Sequence, residues 1–555
     1  MVTMALDSVT IEVIRNSAIY ISEEMGVVLR DTAFSPNIKD RLDHSCAVLA
    51  PDGSLVAQAE HIPVHLGSMS VGVVNLVKYI EDLGMDLGVG DVVVTNDPYI
   101  SGTHLNDLMA IKPVYAGDFH IAYVANKAHH VDVGGLVPGS IGGGAKELRE
   151  EGIVIEPVKV VEAGSVRWDI VRMLEANVRT PRYFRGDLMA QIASLNVGEA
   201  RLRELAGRYG GSALVEAWES ILGYTERYTR EKIGEVAALA SGVYRARDYM
   251  ETSKGELLEI VATLTIDKGR LTVDYTGTSK QVDEPINAVY GVTVAATLFA
   301  LKSTLDPEMP MNQGFFRIVE IKAPEGTLVN PLKPAPVGGG NVETSQRIAD
   351  VVFRALAEAL PERVPAASCG TMSNVMVGGR GWAFYETNAC GSGARPCCDG
   401  VDGVHTNMTN TLNTPIEVIE REYPILFNAY ELRPDSGGPG MYRGGLGVVR
   451  AFTALEDNVT ITIFAERGLT RPWGLSGGRP GRSFEAVITR AAGEVERLMS
   501  KHTAKLNRGD TIAIYTPGGG GYGDPCKRDR SLIERDLREG RITMESAVKD
   551  YCYDS

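Results

Sequence analysis

The chain holds nine histidines, and seven of them (His44, His61, His65, His104, His120, His129 and His130) fall within its first 130 residues. An even scatter would place about two there. The segment from Asn96 to Asp107 sets His104 and Asp107 three residues apart, and Ala128-His129-His130-Val131-Asp132 adds further imidazole and carboxylate. Neutral imidazole and carboxylate are ligands for a divalent transition metal, so the grouping implies Zn, Mn or Fe with positions left open for water or substrate. The other reading is a set of histidines that only hydrogen-bond loop backbone.

Two apolar runs, Leu108 to Tyr115 and Phe119 to Asn126, flank Ala116-Gly117-Asp118 and predict an antiparallel pair that gathers these groups at one end. With Tyr115 opposite Phe119, His104 lies across from His130, Asp107 from Lys127, and Leu105 from His129, on strands ~4.8 Å apart. Strict alternation then puts His104 with His130 on one face and Asp107 with His129 on the other. A bulge, or a loop start near His104, is needed to unite His104, Asp107 and His129.

Other signals carry less. Gly474-Leu475-Ser476-Gly477-Gly478 has the form of a nucleophile elbow but runs into Arg479-Pro480-Gly481 rather than a helix. No phosphate-binding G-x-x-x-x-G-K-[ST] loop occurs. Asp40 and Asp43 with Arg41 admit two readings, an acid/base pair or a solvated, salt-bridged turn. Asn341 to Arg347 opens a helix after three glycines, a geometry that either receives an anion on backbone N–H groups or is a plain capped helix start.

These stretches together resemble the hydantoinase B/oxoprolinase family. The resemblance is carried by Asp43-His44-Ser45-Cys46, the run from His61 to Met69, the Asn96 to Asp107 segment, His129 to Gly135, Gly340 to Arg347, Asn407 to Pro415, Asp435 to Gly438, Arg443 to Gly447 and Thr516 to Pro525. It implies a subunit working with a hydantoinase A-type ATPase partner, in a heterotetramer of two of each, with ATP and Mg bound by that partner. The implied activity is ATP-dependent opening of a cyclic amide (lactam, hydantoin or 5-oxoproline) after the partner phosphorylates the ring amide oxygen. The family also includes ketone carboxylases, so a carboxylase subunit is an alternative; a second alternative, from outside that reading, is a noncatalytic scaffold for the ATPase whose histidines are structural.

The family's ligand set carries over to His104, Asp107 and His129, with His130 as substitute. Asp43 or His65 is then expected beside the metal as acid/base or fourth ligand, and Asn341 and Glu343 as substrate contacts. Asn407 stands where many relatives have a histidine, so no proton-transfer role is assigned there.

The elements that must position these residues read as mixed α+β, with mostly antiparallel sheets, helical insertions and several domains. Helices are expected from Ser8 to Leu29, Ser68 to Leu83, across Gly186 to Ala240, from Val292 to Lys302, from Val342 to Leu360, and from Ser531 to Tyr551. Hairpins are expected around Pro51-Asp52-Gly53 and Asp267-Lys268-Gly269. The expected divisions are a metal-bearing domain at 1–165, a helical region at 166–250, a β-rich domain at 251–525 and a C-terminal helix at 526–555.

Composition sets outer bounds. With 56 Lys+Arg against 71 Asp+Glu, the net charge is −15. That argues against nucleic acid or an anionic membrane as partner. No apolar run reaches the ~20 residues that span a bilayer, and no basic leader precedes an apolar stretch, so a cytoplasmic protein beginning where the sequence does is expected. Seven cysteines without a C-x-x-C pair favour reduced thiols, with Cys397 and Cys398 buried in a loop. The 61 glycines cluster between β-type segments and mark tight turns and close backbone approach.

Overall fold

The computed structural model describes residues 6–59 and 61–554. Its first sheet has seven strands, β1 (His44–Leu49), β2 (Leu55–Gln58), β3 (Val92–Thr95), β4 (Asp107–Ala116), β5 (Phe119–His129), β6 (Val158–Glu162) and β7 (Ser165–Val166), in the order β2-β1-β5-β4-β3-β6-β7. All its pairings are antiparallel. Both faces are covered, which is why its central strands read as unbroken apolar runs rather than alternating ones.

Period-two alternation sorts the side chains between the faces. Cys46, Val48, Leu108, Ala110, Ala122 and Val124 pack against α1 (Ser8–Thr32), α3 (Pro181–Tyr209) and α4 (Gly211–Ala240). Ala47, Leu49, Met109, Ile111, Tyr123 and Ala125 pack against α2 (Pro63–Asp82). Pro63 starts α2 where a missing N–H costs nothing, so that helix begins five residues before the sequence expectation.

The remaining sheets lie beyond α4. β8 (Gly242–Glu251), β9 (Leu257–Asp267), β10 (Arg270–Asp274) and β11 (Val319–Lys322) form a four-stranded sheet whose β10–β11 pair alone is parallel. It packs in the largest core cluster with α5 (Tyr290–Leu305) and α6 (Ser345–Ala359). The α6 helix is preceded by a π-helical turn, Gly340–Thr344, rather than by the plain capped start that was one of the two readings for this segment. Two further sheets follow, β13-β12-β16-β19 and β14-β15-β20-β17-β18. Their strands are β12 (Asn374–Gly379), β13 (Trp382–Glu386), β14 (Ile425–Leu432), β15 (Val448–Ala454), β16 (Val459–Phe464), β17 (Glu485–Thr489), β18 (Val495–Leu498), β19 (Lys501–Leu506) and β20 (Thr511–Tyr515). The fold is thus mixed helix and mostly antiparallel sheet, as expected.

The glycine clusters have a common use. The backbones of 391–393, 436–447, 474–481 and 516–523 lie side by side outside any strand. They are joined by bonds such as Gly445 N to Ser392 O at 2.8 Å and Gly519 N to Gly445 O at 2.9 Å. A Cβ on Gly519 would collide with the Ser392 carbonyl, so close backbone approach is what the glycines there allow.

Three expectations are corrected. The single C-terminal helix is two, α7 (Arg530–Arg538) and α8 (Met544–Tyr551), because Gly540 takes φ +69° and Thr543 caps the second helix through the Ser546 N–H. The cysteines are not all thiols: Cys369 pairs with Cys390 and Cys526 with Cys552, with Cα atoms 6.0 and 5.2 Å apart. Partners separated by 21 and 26 residues leave no local motif, so only the folded chain shows which ones meet. Cys397, expected to be buried, is exposed. Among the described residues no helix is long and apolar enough to cross a membrane.

Candidate functional site

His104, Asp107 and His129 come together through the β4–β5 hairpin, but in a different register from the one expected. Asp107 pairs with His129, not Lys127, a shift of two residues: Ala116 rather than Tyr115 faces Phe119 at the turn, and a bulge at Val114/Tyr115 adds one more. His104 sits in the turn leading into β4, where the Asp107 N–H donates to the His104 carbonyl at 3.0 Å. The loop start anticipated at His104 is therefore present, and His104 is not a rung of the ladder at all.

The three candidate ligand atoms face one another. His104 Nε2 lies 3.0 Å from Asp107 Oδ1 and 3.2 Å from His129 Nδ1. His129 Nδ1 lies 3.3 Å from Asp107 Oδ1. Ligand atoms held by bonds of ~2.1 Å stand ~3.0 Å apart around an octahedral ion and ~3.4 Å around a tetrahedral one. The spacing thus suits a metal in either geometry, and among the described residues this is the one group of His, Cys, Asp and Glu side chains so arranged.

The surroundings aim these atoms. His104 donates from Nδ1 to the Gly338 carbonyl at 3.0 Å, which leaves Nε2 as the inward lone pair. The Tyr385 ring stacks on His129 at 4.8 Å with 14° between planes. Asp107 Oδ2 accepts from His65 Nε2 at 3.2 Å and from Asn341 Nδ2 at 3.3 Å. The other His65 nitrogen meets Ser45 Oγ at 3.1 Å, so both of its ring nitrogens are engaged. Strand parity explains these partners, since Ser45, Asp107 and His129 share the sheet face that α2, carrying His65, covers.

Parity also separates the substitute. His130 turns to the opposite face, where Nε2 bonds Gln191 Oε1 at 3.0 Å and the ring packs on Phe184 at 4.8 Å. Asp43 borders the cluster, its Oδ2 3.8 Å from His129 Nδ1. Glu343 lies further out, accepting from Asn374 Nδ2 at 2.6 Å and from the Met372 N–H at 3.1 Å.

Electrostatics follow from burial. Burial alone would raise the Asp107 carboxyl, yet the His104 and His65 imidazoles hold it well below the usual carboxylate range. Burial likewise opposes a charged His104, but Asp107 outweighs it and lifts that imidazole above its ordinary value. His129 is pushed down by burial. Glu343 is pushed well up, by burial first and by the Glu466 carboxylate second.

Sequence reasoning missed Tyr385 and the Gly338 carbonyl, which reach the cluster from more than two hundred residues away along the chain and carry no local signal. Of the two readings left open around Arg41, the solvated turn is excluded: that side chain is fully buried, over the Tyr385 ring at 4.6 Å.

The buried cluster of two histidines and one carboxylate at the mouth of a hairpin, inside a fold of mixed helices and mostly antiparallel sheets, has the donor set of a candidate divalent-metal site. The particular family is shown by comparison: the hydantoinase B/oxoprolinase model matches residues 7–525, and the chain belongs to that family. An uncharacterized protein of Methanocaldococcus jannaschii is 53% identical, the match covering 98% of this chain and 96% of that one. The B component of a putative D-/L-hydantoinase from a Pseudomonas species is 32% identical over 98% of this chain and 95% of its own. The 5-oxoprolinase 1 of Arabidopsis thaliana is 37% identical over 93% of this chain, which spans only 42% of that longer protein.

The solved ATP-dependent caprolactamase of Pseudomonas jessenii superposes with a TM-score of 0.89 at 28% identity, over 99% of this chain and 96% of that one. An acetone carboxylase structure gives 0.90 at 19% identity, over 97% of this chain and 79% of that one, a likeness of fold alone.

Proposed function

We propose that this chain is the metal-bearing subunit of an ATP-dependent cyclic amide hydrolase, opening a lactam, hydantoin or 5-oxoproline ring. A hydantoinase A-type ATPase is its partner, two of each forming the complex, and holds the ATP and Mg. The observation that carries this reading is the convergence of His104 Nε2, Asp107 Oδ1 and His129 Nδ1 within 3.3 Å of one another. It is supported by likeness to proteins named as a putative hydantoinase component and an ATP-dependent caprolactamase.

An unstrained amide resists water because its resonance must be broken. Phosphorylation of the carbonyl oxygen by the partner makes that oxygen a good leaving group. His104, Asp107 and His129 would hold a divalent Zn, Mn or Fe ion, which would supply Lewis-acid stabilisation of the negative charge that develops on ring opening. Asp43, 8% exposed at the edge of the cluster, is placed to take the proton of the attacking water. His65 holds Asp107 by its second oxygen, and Asn341 presents its unpartnered Oδ1 to a substrate N–H. Glu343, whose carboxyl burial and then Glu466 push up, keeps Oε2 free of partners as a further contact for the substrate.

The test is elemental analysis of the purified chain, followed by ATP-dependent ring opening with the co-produced ATPase on hydantoin, 5-oxoproline and caprolactam. One divalent metal per chain and ring opening that needs both proteins are expected. A metal-free chain that supports full activity would leave only the scaffold role. A requirement for bicarbonate would point to the carboxylase alternative.

A further inference from the structure

Seven arginines of this chain are buried. Six of them, Arg347, Arg433, Arg443, Arg450, Arg467 and Arg528, each have a carboxylate oxygen within 3.2 Å. Arg41 does not. Its nearest carboxylate is Asp43, with Nη2 3.8 Å from Oδ2, although the side chain is wholly shielded from solvent.

The other contacts of Arg41 are neutral. Nη2 donates to Thr387 Oγ1 at 3.0 Å, and Nη1 donates to the Tyr385 carbonyl at 3.3 Å and to Asn37 Oδ1 at 3.4 Å. Two donors on adjacent side chains, Arg41 Nε and Asn37 Nδ2, are buried with no partner. A guanidinium taken out of water with its nearest carboxylate 3.8 Å away carries a desolvation cost that a bound anion would offset. Planar, multidentate donors of this kind match the oxygens of a phosphoryl group.

The position fits that role. Asp43 Oδ2 lies 3.8 Å from Arg41 Nη2 on one side and 3.8 Å from His129 Nδ1 on the other. One carboxylate is thus shared between the guanidinium and the metal-site cluster. The local charge favours an anion as well, since a divalent ion with Arg41 would outweigh Asp43 and Asp107 by about one positive unit.

The geometry points to Arg41 and Asn37 as the receptor for the phosphoryl group of the activated substrate, holding it beside the His104/Asp107/His129 cluster as the ring opens. This deepens the function proposed above and rests on it. The group recognised is a phosphate oxyanion, and inorganic phosphate, the product, is its simplest probe.

The complex with its ATPase partner is loaded with Mn(II), and the 31P relaxation of inorganic phosphate is measured with and without the metal. Paramagnetic broadening that saturates with phosphate concentration is expected. In Arg41→Met and Asn37→Ala complexes of unchanged metal content, phosphate inhibition of ring opening should weaken at least tenfold, and Arg41→Lys should recover part of it. In Arg41→Met, ATP hydrolysis by the partner should persist while ring opening falls, an uncoupling that a merely structural arginine would not produce.

Bound Mn without phosphate broadening in the unaltered complex would overturn the inference while leaving the metal reading intact. So would phosphate inhibition that is the same in both variants. Absence of bound metal would instead sink the metal reading. Phosphate binding would then be followed by calorimetry, and equal affinity in the Arg41→Met and unaltered complexes would overturn the receptor as well. Should Arg41→Met fail to assemble, Asn37→Ala and the relaxation of the unaltered complex decide.

Discussion

Replacing His65 by Gln asks whether this side chain ligates a metal or only holds Asp107. Its imidazole is 1% exposed and spans from Ser45 Oγ at 3.1 Å to Asp107 Oδ2 at 3.2 Å. A glutamine amide cannot bridge both partners along one ring axis, so the bond to Asp107 is lost or bent. A hydrogen bond to a charged group contributes ~1.5–3 kcal/mol. At ~1.36 kcal/mol per decade, the affinity of the ligand set for Zn or Mn should fall by about 10- to 150-fold. The assay is competition with a chromophoric chelator at fixed pH, run beside His104→Ala, which deletes a ligand atom and should bind no measurable metal. Native affinity in His65→Gln would show that Asp107 needs no support. A loss as complete as in His104→Ala would make His65 a ligand, and either result refutes the reasoning.

Further outcomes follow from other parts of the molecule. Burial, and then the neighbouring His61, push the His44 imidazole down to about 3 from its ordinary 6.5. The native state then binds fewer protons than the unfolded chain, so the contribution is whole above pH 6.5 and erodes as pH falls toward 3. At pH 5 the loss is about 2 kcal/mol, and His44→Leu should flatten the fall in urea midpoint between pH 7 and 5; an unchanged slope would contradict this. A Cβ on Gly67 would meet Ala295 Cα at 2.7 Å where α2 crosses α5. Gly67→Val should therefore cost ~1–3 kcal/mol, read as a lowered melting temperature, and an unmoved melt would show that the helices part freely. Burial pushes the Cys46 thiol up to about 12. An aromatic disulfide reagent at pH 8 should label exposed Cys397 quickly and Cys46 only after unfolding, with early labelling of Cys46 contradicting its burial.

Much of the local structure was legible because it is set by near neighbours in the chain. The strand Val92–Thr95, the helix from Ser8, and the hairpin around Asp267-Lys268-Gly269 appear within a few residues of where apolar period and turn residues put them. The crowding of imidazole near His104 and His129 was visible for the same reason, since a short hairpin brings its own arms together. Its register was not, because the turn pairs Ala116 rather than Tyr115 with Phe119, and one extra residue, Ile121, opposite Val114/Tyr115 shifts every pair beyond it, with no residue type to announce a bulge there.

What the sequence by itself determined is therefore the class of elements and which segment carries the metal-type side chains. What only the tertiary structure decided is which of those side chains face each other. Strand parity sends His129 toward α2 and His130 toward Phe184. The same packing brings Tyr385 and the Gly338 carbonyl to the cluster and strips Arg41 of solvent. Those placements depend on contacts between residues hundreds of positions apart, and the free energy that selects them, apolar burial on both faces of one sheet, belongs to the whole fold rather than to any stretch of it.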